Sequence, residues 1–245
     1  MILRRLTNAF RRQDWFTVFI ETLIVVLGVF LGLQVNNWNT TRSDSRREMA
    51  YLNGLHDDFS QIITELQSDS AEYEDIAAAM TLLIDQSRKD APDVSLETLN
   101  TSAAKLVRMV GTPIVSDTYA NLTGSGDLAI IKNPRIKIAL ASFYGQVEVI
   151  NLVDNTHEMQ LVNIFQPYII DHLDYTLMFR DDRELPMSPG DDPDRILTVL
   201  TTPEFRNIAA TKWDIATDIH NLLGTALDEA RTVEALLDEE LERRQ

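Results

Sequence analysis

Hydrophobic residues in this chain recur at helical spacing, and three long stretches carry most of the pattern. In each stretch the apolar positions fall mainly at intervals of three and four residues, which predicts one buried face of a long α-helix. The first stretch consists of Leu52, Leu55, Phe59, Ile62, Leu66, Tyr73, Ile76, Met80 and Leu83. The second consists of Ile136, Leu140, Phe143, Val147, Ile150, Leu161, Ile164 and Tyr168. The third consists of Phe205, Ile208, Ile215, Ile219, Leu222, Leu227, Val233, Leu237 and Leu241.

Proline and glycine between these stretches predict where the helices end. Breaks fall at residues 91–93, at residues 111–113 and in an acidic loop at residues 180–195. Asn133 followed by Pro134 is a typical start for the second long helix. We therefore predict an all-α fold, in which one N-terminal transmembrane helix precedes an elongated antiparallel helical bundle.

The transmembrane prediction rests on the segment from Trp15 to Trp38. As a helix this segment would be roughly 34 Å long, about one hydrocarbon core with its edges. The apolar run from Phe16 to Val35 contains a single charge, Glu21. Trp15 and Trp38 are suited to anchor the two membrane interfaces. A cleaved signal peptide is the alternative, but no small-x-small cleavage site follows the run.

Charges beside this helix predict its orientation. Four arginines precede it and three follow it closely, so the amino terminus tips the balance toward a cytoplasmic N-terminus. The predicted organisation is a cytoplasmic tail at residues 1–14, a transmembrane helix at residues 15–38 and an extracytoplasmic helical bundle at residues 39–245.

A stripe of residues within the predicted span indicates more than anchoring. Glu21, Val25, Gly28 and Gly32 lie on one face of the helix, and the two glycines form a GxxxG motif that permits close helix contact. A carboxylate facing lipid is costly, so this stripe predicts homo-oligomerisation through the membrane helix. The alternative is a chance GxxxG, with Glu21 snorkelling to the nearer interface.

The aromatic entry, Glu21, the IVVLGVFLG core and the following LQVNNWN resemble a group of bacterial proteins classed as a family of unknown function. A weaker similarity covers residues 116–133. The resemblance implies a single-span membrane protein with a helical domain after the span, and hence a bacterial inner-membrane protein whose C-terminal domain is periplasmic. It implies no activity, cofactor or catalytic residue.

The net negative charge of the chain limits the classes of partner that it can bind. Residues 49–245 contain 34 acidic and 15 basic residues, a net charge of −19. Such a body is repelled by nucleic-acid phosphates and anionic lipid heads, so no nucleic-acid partner is predicted. The chain contains no cysteine, which excludes disulfides and thiolate chemistry.

Three polar residues interrupt the apolar seams and are the candidates for chemistry outside the membrane. Asp69 lies in the first seam, and Asp154 and His157 lie in the second. An Asp and a His three residues apart on a helix face can bind a metal or pass a proton. Two ligands do not make a zinc site, so we favour a satisfied polar layer inside the bundle, and we predict no metal and no cofactor.

No sequence motif of a known catalytic centre accompanies these residues, so an enzyme is not predicted. The first hypothesis is a membrane-anchored, homo-oligomeric structural or interaction protein. Its partners would be a second copy of the chain, the lipid bilayer and an unidentified membrane or periplasmic protein. The alternatives are an extracytoplasmic sensor or regulator that acts through a partner, and a proton- or ion-handling subunit that uses Glu21.

Overall fold

The structure, a computed structural model, describes residues 15–111, 114, 116–178 and 192–244. These residues are helical or lie in turns and connections, and they include no strand. The helices are α1 Trp15–Gln86, α2 Leu96–Ala104, α3 Asp117–Gly124, α4 Pro134–Gln160, α5 Gln166–His172, α6 Arg195–Leu200 and α7 Pro203–Glu242. A π-helical segment, Leu161–Phe165, joins α4 to α5. Contacts divide the chain into two units, Met1–Tyr51 and Leu52–Gln245, and each is described by itself.

The first unit is represented by the N-terminal part of α1. Its apolar side chains are exposed along the helix, from Phe19, which is 63% exposed, to Trp38, which is 64% exposed. The guanidinium of Arg42 lies 5.6 Å from the centre of the Trp38 ring, one helical turn away. The cytoplasmic tail predicted at residues 1–14 lies outside the described residues.

In the second unit, three long helices pack along one another in mixed directions. Phe59 and Tyr73 of α1 contact Phe143 and His157 of α4 in the same order, so these two helices run parallel. α7 runs antiparallel to α1, with His56 against Asp238 and Ser70 against His220. It is also antiparallel to α4, since Arg135 pairs with Glu239 and Ser142 with Glu229. The parallel α1–α4 pair differs from the simple antiparallel order expected from the sequence.

The segment between α1 and α4 explains this parallel pairing. Lys105 and Arg108, after α2, pair with Asp75 and Glu72 of α1, so the chain already runs back along α1 there. The segment then reaches Asp58, which accepts hydrogen bonds from the Ser116 hydroxyl and the Thr118 amide at the start of α3. Before α4 begins, the chain has therefore run back along α1 from the end of that helix to Asp58, which lies near the start of its packed part.

A glycine allows the close approach of α3 to α1. A Cβ atom added at Gly54 would lie 2.7 Å from the Thr118 hydroxyl oxygen, which is closer than real Cβ contacts. The carboxylate of Asp58, one turn further along α1, then receives the α3 amide. Any larger residue at position 54 would therefore push α3 away from α1.

The first predicted seam is confirmed, because all nine of its apolar side chains are at most 2% exposed. The second seam is confirmed from Ile136 to Ile150 but changes at the π-helical segment. There Phe165 is buried, whereas Ile164, predicted to face inward, is 39% exposed. Pro167 lacks the amide hydrogen that the preceding turn needs, and a π segment beside it rotates the later side chains.

The third predicted seam is wrong in several positions. Apart from Leu236, the buried residues of α7 follow an alternation of three and four, and small or polar residues occupy many of these positions. The buried residues at these positions are Phe205, Ala209, Lys212, Ala216, Ile219, Leu223, Ala226, Ala230, Val233, Leu237 and Glu240. Ile208 and Ile215, predicted to face inward, are only partly buried at the edge of the core. The alanines allow α7 to lie close to its neighbours.

We expect Phe143→Ala to lower the free energy of unfolding by about 3–5 kcal/mol, because it removes a buried ring and leaves a cavity. Phe143 is fully buried, with its ring centre 4.9 Å from that of Phe59. Denaturant unfolding of the full chain in detergent, followed by circular dichroism, measures the loss. Leu197→Ala is the control, since Leu197 is 40% exposed. Equal losses in the two variants would contradict the packing described.

Candidate functional site

The stripe predicted for oligomerisation lies on the exposed part of α1. Val25 is 64% exposed, and a Cβ atom added at Gly28 or Gly32 would meet nothing within 4 Å. This face is therefore open to a partner helix. The side chains of Glu21 and Trp15 lie outside the described residues.

Two helical stretches are long and apolar enough to cross a membrane by length and composition, among the residues searched. The first begins at Thr22, and its most apolar window has no buried residue. The second, Pro134–His172, includes α4, and 28% of its window is buried inside the second unit. The apolar start of α1 thus has the properties of a membrane span or of a signal sequence.

Asp69 and Asp154, predicted as members of a polar layer, line one small cavity. The cavity holds about 20 Å³, the space of about one water molecule. The Tyr73 ring and the backbone at Val110 and Gly111 also line it, and the Tyr73 hydroxyl donates a hydrogen bond of 2.6 Å to the Val110 carbonyl. The structure therefore brings the two aspartates of the predicted layer together.

His157, the third predicted member, pairs with a lysine instead. Its Nε2 atom lies 2.7 Å from Lys212 Nζ, which also donates to the Arg108 carbonyl at 2.6 Å. Lys212 is 0% exposed and His157 is 1% exposed. The ring of Phe165 faces the ammonium at 5.2 Å. The pair joins α4 to α7 and to the extended residue Arg108 after α2, and His157 lies about one helical turn after Asp154.

Burial changes the protonation of this pair. Removal from water lowers the pKa of Lys212 to about 7, because a buried ammonium has lost its hydration. Burial, and secondarily the charge of Lys212, lowers the pKa of His157 to about 3. His157 is thus neutral near pH 7 and accepts at Nε2, which leaves its proton on Nδ1. Nδ1 is buried without a hydrogen-bond partner.

Asp154, in contrast, is protonated more readily than an ordinary aspartate. Burial, followed by the nearby charge of Asp69, raises the pKa of Asp154 to about 6. The Oδ1 atom of Asp154 is buried and has no hydrogen-bond partner in the structure. Burial likewise raises the pKa of Tyr73, so its hydroxyl stays protonated. Asp154, with a pKa raised to about 6, and Lys212, with a pKa lowered to about 7, therefore both change their charge near neutral pH.

Metal binding is not supported by this geometry. Within the described ranges, no three His, Cys, Asp or Glu side chains lie close enough together to hold an ion. His157 directs Nε2 at a cation, which is incompatible with a metal at the same nitrogen.

Lys212 was not predicted as a site residue, because the third stretch was defined by its large apolar residues alone. The signal was present: Lys212 lies three residues after Ala209 and four before Ala216, on the alternation that runs through the alanines. Glu240 was missed for the same reason. Its buried carboxylate accepts hydrogen bonds from Arg243, Arg244 and Asn133, which joins the end of α7 to the start of α4.

A comparison with protein families finds a match that covers more than half of the chain. The model of DUF6090, described as a family of unknown function, matches residues 21–160. The matched region begins at Glu21 in α1 and ends with α4, so it contains Asp69, Asp154 and His157 but not Lys212. No curated protein and no solved structure matches the chain.

We expect Asp154→Asn to stabilise the protein at pH 7.5 by about 1–2 kcal/mol, after allowance for partial exposure. A raised pKa means that the folded state takes up a proton more readily than the unfolded state between about pH 4 and pH 6. The penalty of the ionised form is therefore complete above pH 6, and the advantage of the variant should vanish near pH 4. Denaturant unfolding at both pH values measures it, with the exposed Asp228→Asn as control. A difference independent of pH would contradict the assignment.

We expect Lys212→Met to remove a rise of stability with pH. Because the pKa of Lys212 is lowered to about 7, the unfolded chain binds the extra proton between pH 7 and pH 10.5. In this window the wild-type protein should gain up to about 1.4 kcal/mol per pH unit relative to Lys212→Met. Below pH 7 the difference should stay constant. Unfolding curves at half-unit intervals measure the slope, and parallel curves above pH 7 would mean that Lys212 keeps its ordinary pKa.

Proposed function

On the premise that the chain belongs to DUF6090, a family of unknown function, we propose that it is a membrane-anchored, homo-oligomeric structural or interaction protein. The segment at residues 15–38 is its transmembrane helix, and the domain after it presents a helical surface to another membrane or periplasmic protein. The observation that carries the proposal is the large exposure of the apolar side chains in the first part of α1. Contact of so much apolar surface with water is unfavourable.

Membrane insertion is supported by the exposure of this segment. From Phe19 to Val35, eleven large apolar side chains are between 41% and 64% exposed. Burying them in lipid would contribute at roughly 25 cal/mol per Å² of apolar surface, which makes the bilayer their favourable environment. Trp38, stacked with Arg42, is suited to the headgroup region where an apolar ring and a cation are both accommodated.

Association through the span is supported by the open stripe of Val25, Gly28 and Gly32. Two glycines four residues apart allow two helix backbones to approach closely, and dispersion contacts drive association where lipid removes the hydrophobic effect. Glu21 belongs to the same face by its spacing, and a partner helix would give its carboxyl group a hydrogen-bonding environment.

The orientation that fits the flanking arginines is a cytoplasmic N-terminus at a bacterial inner membrane, with the helical domain in the periplasm. The domain carries a net charge of −19 over residues 49–245, which keeps it soluble and away from anionic lipid heads.

A cysteine at an exposed body position, such as Asp228→Cys, should react with a membrane-impermeant maleimide in intact spheroplasts. Labelling that requires lysis would reverse the orientation.

A second function, that of a pH-responsive sensor acting through a partner, is favoured by the layer around Asp154 and Lys212. Their pKa values of about 6 and about 7 lie within the range over which the pH of an extracytoplasmic compartment varies. Crosslinking in cells at pH 5.5 and pH 7.5 tests it. A second protein captured at one pH supports a sensor, and recovery of this chain alone at both counts against it.

We expect Gly28→Leu and Gly32→Leu each to weaken association in lipid nanodiscs by about tenfold or more, equivalent to about 1.4 kcal/mol. A large side chain on this face separates the two backbones, whereas Val26→Leu lies on the opposite face and should leave association unchanged. Light scattering across a range of protein-to-lipid ratios measures the oligomer. A wild-type protein that stays monomeric in both detergent and nanodiscs would exclude homo-oligomerisation through the span.

A further inference from the structure

A second apolar stripe lies on the solvent side of α4. We call Ile138, Gly145, Val149, Leu152 and Met159 the outer stripe. Ile138, Leu152 and Met159 are 71%, 68% and 67% exposed, and Val149 is 44% exposed. A Cβ atom added at Gly145 would meet nothing within 4 Å. All five residues are exposed, so the outer stripe faces away from the core of the second unit.

The spacing of the outer stripe is that of a helix–helix seam. With Ser142 and Thr156 between its members, the positions alternate at four and three residues over three heptads, without a charge. The opposite face of α4, which includes Leu140 and Phe143, is already fully buried in the core. A helix that is apolar on both faces requires contacts on both faces, and the 3.5-residue period selects another helix.

Lipid does not fit the outer stripe. α4 also carries Arg135, Lys137, Glu148 and Glu158, and its inner face holds the core of the second unit, so it cannot enter a bilayer without unfolding the domain. Adsorption to an anionic membrane surface is opposed by the net charge of −19 over residues 49–245. The Ser142 hydroxyl is held by Glu229 of α7, which places a further acid beside the stripe.

The size of the outer stripe selects a partner that is already held nearby. From Ile138 to Met159 the stripe is about 32 Å long, and a strip one helix wide covers about 300 Å² on each partner. A stable interface between free proteins buries about 800 Å² on each partner, so the outer stripe is too small to recruit one from solution. A partner in the same membrane has a high effective concentration and needs less contact area.

We infer that the outer stripe packs against the outer stripe of a second copy of this chain. The inference rests on the proposed function, because anchoring in one membrane supplies the concentration that the small contact requires. It adds a second contact, between the helical domains, to the one proposed for the span. Repulsion between the two acidic domains opposes this contact. At physiological salt the Debye length is about 8 Å, so the repulsion comes mainly from charges close to the seam, such as Glu148 and Glu158.

Disulfide crosslinking tests this contact, since the chain has no cysteine of its own. Val149 lies at the middle of the outer stripe, so it meets its counterpart whether the two helices pack parallel or antiparallel. In nanodiscs, Val149→Cys should crosslink about tenfold faster than the control Asn155→Cys, which is also exposed on α4 but lies off the stripe; this ratio corresponds to about 1.4 kcal/mol. Adding Leu152→Glu to Val149→Cys should abolish the difference, while circular dichroism stays unchanged.

A cysteine in the span separates the two proposals. If Val25→Cys crosslinks and Val149→Cys reacts no faster than Asn155→Cys, the outer stripe is not a self-contact and the inference is overturned, while association through the span stands. If neither Val25→Cys nor Val149→Cys crosslinks, the proposed homo-oligomer fails and the inference fails with it. Crosslinking of Val149→Cys to a different protein in native membranes, without self-crosslinking, also overturns the inference.

Discussion

The packing of the α7 seam between α1 and α4 is the interaction on which the helical domain depends. α1 and α4 run parallel, so neither can continue directly into the other, and α7 is the antiparallel helix that contacts both. Its alanines at positions 209, 216, 226 and 230 allow this close contact. Small side chains at a three-helix contact bring the backbones together and give the larger side chains of the neighbouring helices their space.

The close contact also determines where polar groups are buried. The α7 alternation places Lys212 and Glu240 at seam positions, and each is held by groups from other parts of the domain. Glu240 receives Arg243, Arg244 and Asn133, so its burial is compensated by charge-assisted hydrogen bonds. The partners of the Lys212 ammonium are a neutral imidazole and a backbone carbonyl, and neither carries a negative charge. Its ammonium is therefore uncompensated, and a lowered pKa is the physical result.

The exposed surfaces of the two units differ in polarity. The start of α1 exposes apolar residues around its whole circumference, whereas the second unit buries its seams and carries a strongly acidic surface. The outer stripe of α4 is the exception in the second unit, because its exposed positions repeat with the period of a buried face. An apolar stripe and an open GxxxG face on one chain both favour association with further helices.

The all-helical fold, the apolar N-terminal segment and the first seam could be predicted from the residue order, because they follow from spacing along one helix. The residue order also placed Asp69, Asp154 and His157 on inward faces, since seam position is a local property. Three features became visible only once the chain was folded. They are the parallel course of α1 and α4, the rotation of side chains at the π segment, and the pairing of His157 with Lys212 and not with an aspartate. Those features depend on which residues, distant along the chain, become neighbours, and intervals along one helix carry no information about the register of another.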